Sequence, residues 1–176
     1  MGMNIEEMKL VDSSRALLEQ LAVQVANREA AMKRDAANAG LIQFKTYFAN
    51  RDFALSGNEW NVTATHGSIV FALAIKNAQT GGPECLILKF PEMTKLAPIS
   101  IFMEAQETQA SDSEQNSSDS AKSLLTETLE KVAKMRERLN APPKKWLYYS
   151  LKEQAGSTAK RKDYLSFNHL LSEECP

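Results

Sequence analysis

The chain has 176 residues, a formal net charge of −1, and 43 % hydrophobic and 24 % charged side chains. That is enough chain to bury a core without disulfides or metals. The near-neutral balance predicts neither wholesale nucleic-acid binding nor an acidic mimic, so charge has to be read segment by segment. Cys85 and Cys175 are the two cysteines. They cannot make a disulfide framework, and unpaired thiols fit a reducing compartment better than an oxidising one.

Met1–Leu10 carries Glu6 and Glu7 and no apolar h-region, so no signal peptide is expected. Glu6 also fails the myristoylation pattern. No apolar run approaches the roughly 18 residues that a bilayer span needs. A cytoplasmic chain with no membrane partner is expected.

Residues 4 to about 39 read as one helix. Asn4 followed by Glu7 suits a capping box, in which each side chain answers a backbone donor that the first turn leaves unpaired. The stretch is rich in Ala, Leu, Glu, Gln and Met, with no Pro or Gly before Gly40. Val11, Leu18, Val25 and Met32 recur every seven residues and form one stripe, which Leu17 and Leu21 widen. The second row that a two-stranded coiled coil needs is Ser14, Leu21, Arg28 and Asp35, of which only Leu21 is apolar. Two readings follow. The stripe covers the chain's own sheet, or it pairs with a helix from a twin or a partner.

Gly40 has the chemistry of a helix terminator. Leu41, Phe44 and Phe48 are nevertheless helix-spaced, and continued helix is preferred over a strand for this stretch. Asn50-Arg51-Asp52 and Ser56-Gly57-Asn58 then punctuate the chain.

The middle reads as β. Trp60, Val62 and Ala64 alternate with Asn61, Thr63 and Thr65, the pattern of a strand with one wet face. His66-Gly67 is a turn. Ser68–Lys76 is apolar on both sides, as in a central strand. After a loop at Asn77–Pro83 come Glu84–Phe90, the breaks at Pro91 and Lys95–Pro98, and a fourth alternating run at Ile99–Glu104. The short spacings favour an antiparallel meander over parallel units, which need long crossovers.

Residues 106–120 are polar, acidic and Ser-rich, with nothing larger than Ala to bury, so they read as a flexible linker. A second helix is expected over Ala121–Asn140, with Leu125, Leu129, Val132, Met135 or Arg136, and Leu139 as its stripe. Pro142-Pro143 ends it. Trp146–Gln154 reads as another short helix, Ala155–Lys162 as a basic loop and Tyr164–Leu171 as a last apolar patch. The expected fold is α+β: a long N-terminal amphipathic helix, an antiparallel sheet of about four strands, and C-terminal helices after a polar linker. The corresponding segments are 1–105, 106–120 and 121–176.

No chemistry-bearing motif stands out. His66 and His169 have no Cys, Asp or Glu at ligand spacing, so no metal or cofactor is expected. Gly81-Gly82 precedes a proline and a strand rather than a helix, which makes no phosphate cradle. The carboxylates are scattered. From Lys131 to Lys162 cations predominate, and Lys144, Lys145, Trp146, Tyr148, Lys160, Arg161 and Lys162 combine charge with aromatic rings, as single-strand nucleic-acid binding requires. The competing reading gives those cations to a helix C-terminus and solvent, and those rings to the core.

The preferred function is therefore a non-enzymatic interaction component, a small adaptor or scaffold subunit. Its partner is a second copy or a larger protein complex. Val11, Leu18, Leu21, Val25 and Met32 are the expected contact residues. A nucleic-acid-associated protein is the alternative, and an enzyme with a fold-assembled site the third.

Overall fold

The computed structural model describes residues 4–76, 85–106, 123–143, 145–154 and 157–176. Among them are three α-helices: α1 (Ile5–Ala49), α2 (Leu124–Asn140) and α3 (Phe167–Glu174). Seven strands accompany them: β1 (Ala54–Gly57), β2 (Asn61–His66), β3 (Ile69–Lys76), β4 (Cys85–Lys89), β5 (Ile99–Ala105), β6 (Trp146–Gln154) and β7 (Ser157–Tyr164). The chain divides into two compact units, one drawn from Met1–Met32 and Glu107–Pro143, the other from Lys33–Gln106 and Lys144–Pro176. No helix among the described residues is long and apolar enough to cross a membrane.

The helical unit starts with the expected capping box: the Glu7 N–H donates to Asn4 Oδ1 at 2.8 Å and the Asn4 N–H to Glu7 Oε2 at 3.2 Å. On α1, Val11, Leu21 and Val25 are buried, and Ser14, Leu18, Arg28 and Met32 are half-buried. Both rows of the seven-residue pattern are thus covered as far as Met32, including Ser14 and Arg28, while Asp35 at the end of the second row is exposed. On α2, Thr128 and Val132 are buried and Leu125, Met135 and Leu139 half-buried, again at alternating spacings of three and four. The Leu129 of the expected stripe lies outside it, 50 % exposed. Ser123 caps this helix, its hydroxyl accepting from the Thr126 N–H at 3.3 Å.

Arg28 explains why an arginine is tolerated in the seam. Its guanidinium donates to the Arg138 carbonyl at 3.1 Å and to the carbonyls of Leu139 and Ala141. These acceptors include the unpaired last carbonyls of α2, where the helix dipole also favours a cation. Glu29 takes Arg138 at 2.9 Å. Arg28 and Glu29 thus tie this part of α1 to the C-terminal end of α2.

In the sheet unit every strand pairs antiparallel with its sequence neighbour, in the order β1 to β7. The four expected strands are β2 to β5. The expected count falls short by three. β1 lies in a stretch read as punctuation. Residues 146–154, read as a helix, and the described part of 155–162, read as a loop, are β6 and β7. The reason is visible in burial: Tyr148 and Ser150 are buried while Tyr149 is half-buried and Leu151 exposed, a period of two that outweighs any helical spacing of Trp146 and Tyr149. The expected linker lies outside the described residues except at Gln106, whose N–H donates to the Lys145 carbonyl at 2.7 Å.

The core of this unit lies on one face of the sheet. Ala37, Leu41, Phe44 and Phe48 of α1 and Phe167, Leu170 and Leu171 of α3 pack with Leu73, Leu86, Leu88 and Ile101 of the central strands. Tyr148 Oη donates to the Ala36 carbonyl at 2.9 Å, and Tyr47 Oη to the Cys175 carbonyl at 2.9 Å. Gly40 does not stop the helix, which continues to Ala49. Its role is close approach: a Cβ there would stand 2.9 Å from Leu86 Cδ1 and 3.5 Å from Phe167.

Two stability outcomes follow. Gly40→Leu overpacks the sheet unit and lowers its stability by about 1–3 kcal/mol, read as an earlier urea midpoint. Arg28→Met leaves the C-terminal carbonyls of α2 without their charged donor. A loss of about 1–3 kcal/mol is expected, with faster amide exchange over residues 136–140.

Candidate interaction surfaces

The α1–α2 pair has two flanks. Glu29 and Arg138 mark one of them, which also carries Arg15 and Lys131. By the seven-residue spacing, the positions just before the buried ones are Leu10, Leu17 and Gln24 on α1, and those just after them are Leu129 and Arg136 on α2. Leu10 is 55 % and Leu129 50 % exposed, and Leu17 is half-buried. Ile5, Met8 and Leu124 add exposed apolar surface near the N-terminal ends of the two helices. Thus the expected contact residues Val11, Leu21 and Val25 are buried and Leu18 and Met32 half-buried, while the exposed apolar surface belongs to other residues.

The basic segment is spread over two strands and two faces. Lys144 lies outside the described residues, and Lys145 and Lys160 are exposed. Trp146 packs partly against the core, and Tyr148 is buried in it. Arg161 pairs with Glu104 and, at 2.6 Å, with Asp163, and its guanidinium lies 4.0 Å from the centre of the Tyr149 ring. These carboxylates raise its pKa. Lys162 reaches Glu173 at 2.6 Å and Glu174 at 3.1 Å, which raise its pKa likewise. Alternation along β7 turns Arg161 and Lys162 to opposite faces of the sheet. The arrangement makes local ion pairs rather than one basic track.

A cleft of about 590 Å3 opens in the sheet unit. Phe90, Leu96, Pro98, Ile99 and Leu151 give it apolar walls, with Ser100 and Glu174 as polar members. Phe90, Leu96, Ala97 and Pro98 come from the stretch 90–98, Ile99 and Ser100 from the start of β5, Leu151 from β6 and Glu174 from α3. Nothing in the sequence pattern marks such a cleft.

Among the described residues no cluster of His, Cys, Asp or Glu could hold a metal ion. His169 Nε2 lies 3.0 Å from Glu173, and His66 Nδ1 lies 3.2 Å from the Asp52 carbonyl. Compared with protein-family models, curated proteins and solved structures, the chain matches none.

Two groups, Tyr164 at the end of β7 and Cys175 just after α3, couple stability to pH. Burial first, and then its hydrogen bond to Glu174 at 2.6 Å, push the Tyr164 hydroxyl up to about 12 from the usual 10.0. Burial, reinforced by Glu174, pushes the Cys175 thiol up to about 12 from 9.0. Both groups are held protonated in the folded state. Their contribution is complete below the unfolded values and is lost as pH rises through the folded ones. The urea midpoint is therefore expected to fall between about pH 9 and 12. Tyr164→Phe should make that fall shallower in its upper part.

Proposed function

We propose that this chain is a non-enzymatic interaction component, a small adaptor or scaffold subunit that associates through its helices. What supports the reading is the exposed apolar surface at Leu10 and Leu129, with Leu17 half-buried, next to residues that are already buried. Two aligned helices with a further apolar flank offer a groove for a third, in the way that amphipathic helices dock elsewhere. The flank has one charge, Arg136, and no acid among its positions, which suits a partner helix with an apolar stripe edged by a carboxylate. The buried seam residues act indirectly: they hold α1 and α2 at the spacing that makes the groove.

The test is the mass of the protein recovered from its native host, by light scattering and mass spectrometry. The expected result is a complex heavier than one chain that is lost in the Leu10→Glu/Leu129→Glu double variant. Both positions are half exposed or more, so the helical signal and melting curve should be kept. A single-chain mass before and after the substitutions defeats the reading.

A further inference from the structure

We infer that the sheet face turned away from the core pairs with the same face of a second copy of this chain, sheet stacked on sheet. The surface lies in the sheet unit and goes beyond the helical reading above, on which it does not depend.

Both helical parts of this unit, the end of α1 and α3, pack on one face, where Leu73, Leu86, Leu88 and Ile101 are fully buried. Alternation sends their strand neighbours to the other face. An antiparallel sheet with one wet face carries polar residues there. Two strands obey, since β2 presents Asn61, Thr63 and Thr65, and β7 presents Arg161 and Asp163. The strands between them do not. They present Ala74, Ile87, Phe102, Leu147, Tyr149 and Leu151. Ala74 stands opposite Ile87, and Phe102 opposite Tyr149, with the last two rings stacked at 5.4 Å. Leu151 is 38 % exposed and the other five are half-buried, and none of the six belongs to the core cluster. An apolar centre within a polar margin marks a contact surface rather than a solvated one.

The charges point to the partner. Among the described residues, the half of this face on β3 and β4 carries Lys76 and Lys89 and no acid. The half on β5 to β7 carries Glu104 and Asp163 against the one Arg161. A two-fold axis between two stacked sheets, running along the strands, sets each half opposite the other half of the twin. Lysines then meet carboxylates on both sides of the axis. An axis across the strands would set lysines against lysines, so the charge pattern selects the first. Nearly aligned strands about 10 Å apart are also an ordinary packing of two sheets. A partner of a single charge sign would answer one half only, whereas a second copy answers both.

Six strands, β2 to β7, at about 4.8 Å each and over about six residues, make a face of roughly 29 Å by 20 Å. That is on the order of 600 Å2 per copy, below the roughly 800 Å2 of a standard interface, so the pair should be of micromolar strength.

The test is sedimentation equilibrium of the purified full chain between about 1 and about 100 µM. A reversible equilibrium between one and two chains is expected. Phe102→Thr with Leu147→Thr removes apolar surface but keeps strand-forming residues, and should weaken the pair at least about tenfold. Lys76→Glu/Lys89→Glu and Glu104→Lys/Asp163→Lys should each abolish self-pairing. An equal mixture of those two variants should pair again about as well as the unmodified chain. All four charged positions are exposed, so circular dichroism should report an unchanged fold, and the mixture decides even where the threonine variant loses its sheet signal. A one-chain mass throughout, a pair indifferent to the threonines, or a mixture that stays apart would overturn the inference. The Leu10→Glu/Leu129→Glu chain, purified alone, should keep the pair. Loss of the pair there would overturn the inference and move the contact to the helical flank, so the two readings fail separately.

Discussion

A helix of 45 residues has to be covered along its length, because backbone hydrogen bonds alone leave a helix in water marginal. That constraint organises this protein. The first part of α1 lies in a unit with α2, and the last part lies in a unit with the sheet and α3. The two parts solve the problem differently. In the sheet unit the helix presents a broad apolar face, with Leu41, Phe44, Tyr47 and Phe48 buried, as a helix on a sheet requires. In the helical unit it presents a narrow seam at spacings of three and four, as one helix against another requires.

The narrow seam also shows how polar residues enter such a contact without penalty. Arg28 occupies a seam position, and its guanidinium ends on backbone carbonyls that would otherwise have only solvent. Thr128 is buried on α2, with its hydroxyl returned to the Leu124 carbonyl at 2.7 Å. Among the described residues no buried side-chain nitrogen or oxygen lacks a partner. Charge is handled in the same way on β7, where Arg161 and Lys162 are each held by two carboxylates. These exposed pairs add little stability, and the alternation of the strand decides which face each cation occupies.

What could be read in the sequence followed from how much each residue's local pattern says about distant contacts. Strands β2 to β5 alternate cleanly and are separated by turn-forming residues, so they were legible. The capping box at Asn4 and Glu7 was too. β6 was not, because Trp146 and Tyr149 are three apart and suggest a helix, whereas the alternation of Tyr148 and Ser150 uses a small polar residue as an inward position. Gly40 misleads in the same manner: its lack of a side chain reads as a stop, when the reason is the approach of Leu86 and Phe167 from elsewhere in the chain. Val11, Leu18, Leu21, Val25 and Met32 read as a stripe for the chain's own sheet or for a partner helix, and they are buried or half-buried in the helical unit. That α2 of the same chain supplies the contact depended on Arg28 and Thr128, which no apolar count would include.

The same logic separates the apolar residues that hold this fold together from those left at its surface. Apolar residues at Val11, Leu21, Val25 and Val132 are buried, so altering them would act through folding before it acted on any partner. Leu10, Leu129, Leu96 and Leu151 are apolar and exposed. Scattered singly, such residues need no explanation. Here they are grouped by secondary structure: Leu10 and Leu129 stand next to the buried positions of α1 and α2 in the chain, and Leu96 and Leu151 line one cleft of the sheet unit. Substitution at these four positions changes exposed apolar surface and spares the core, which is what lets an effect on binding be read apart from an effect on folding.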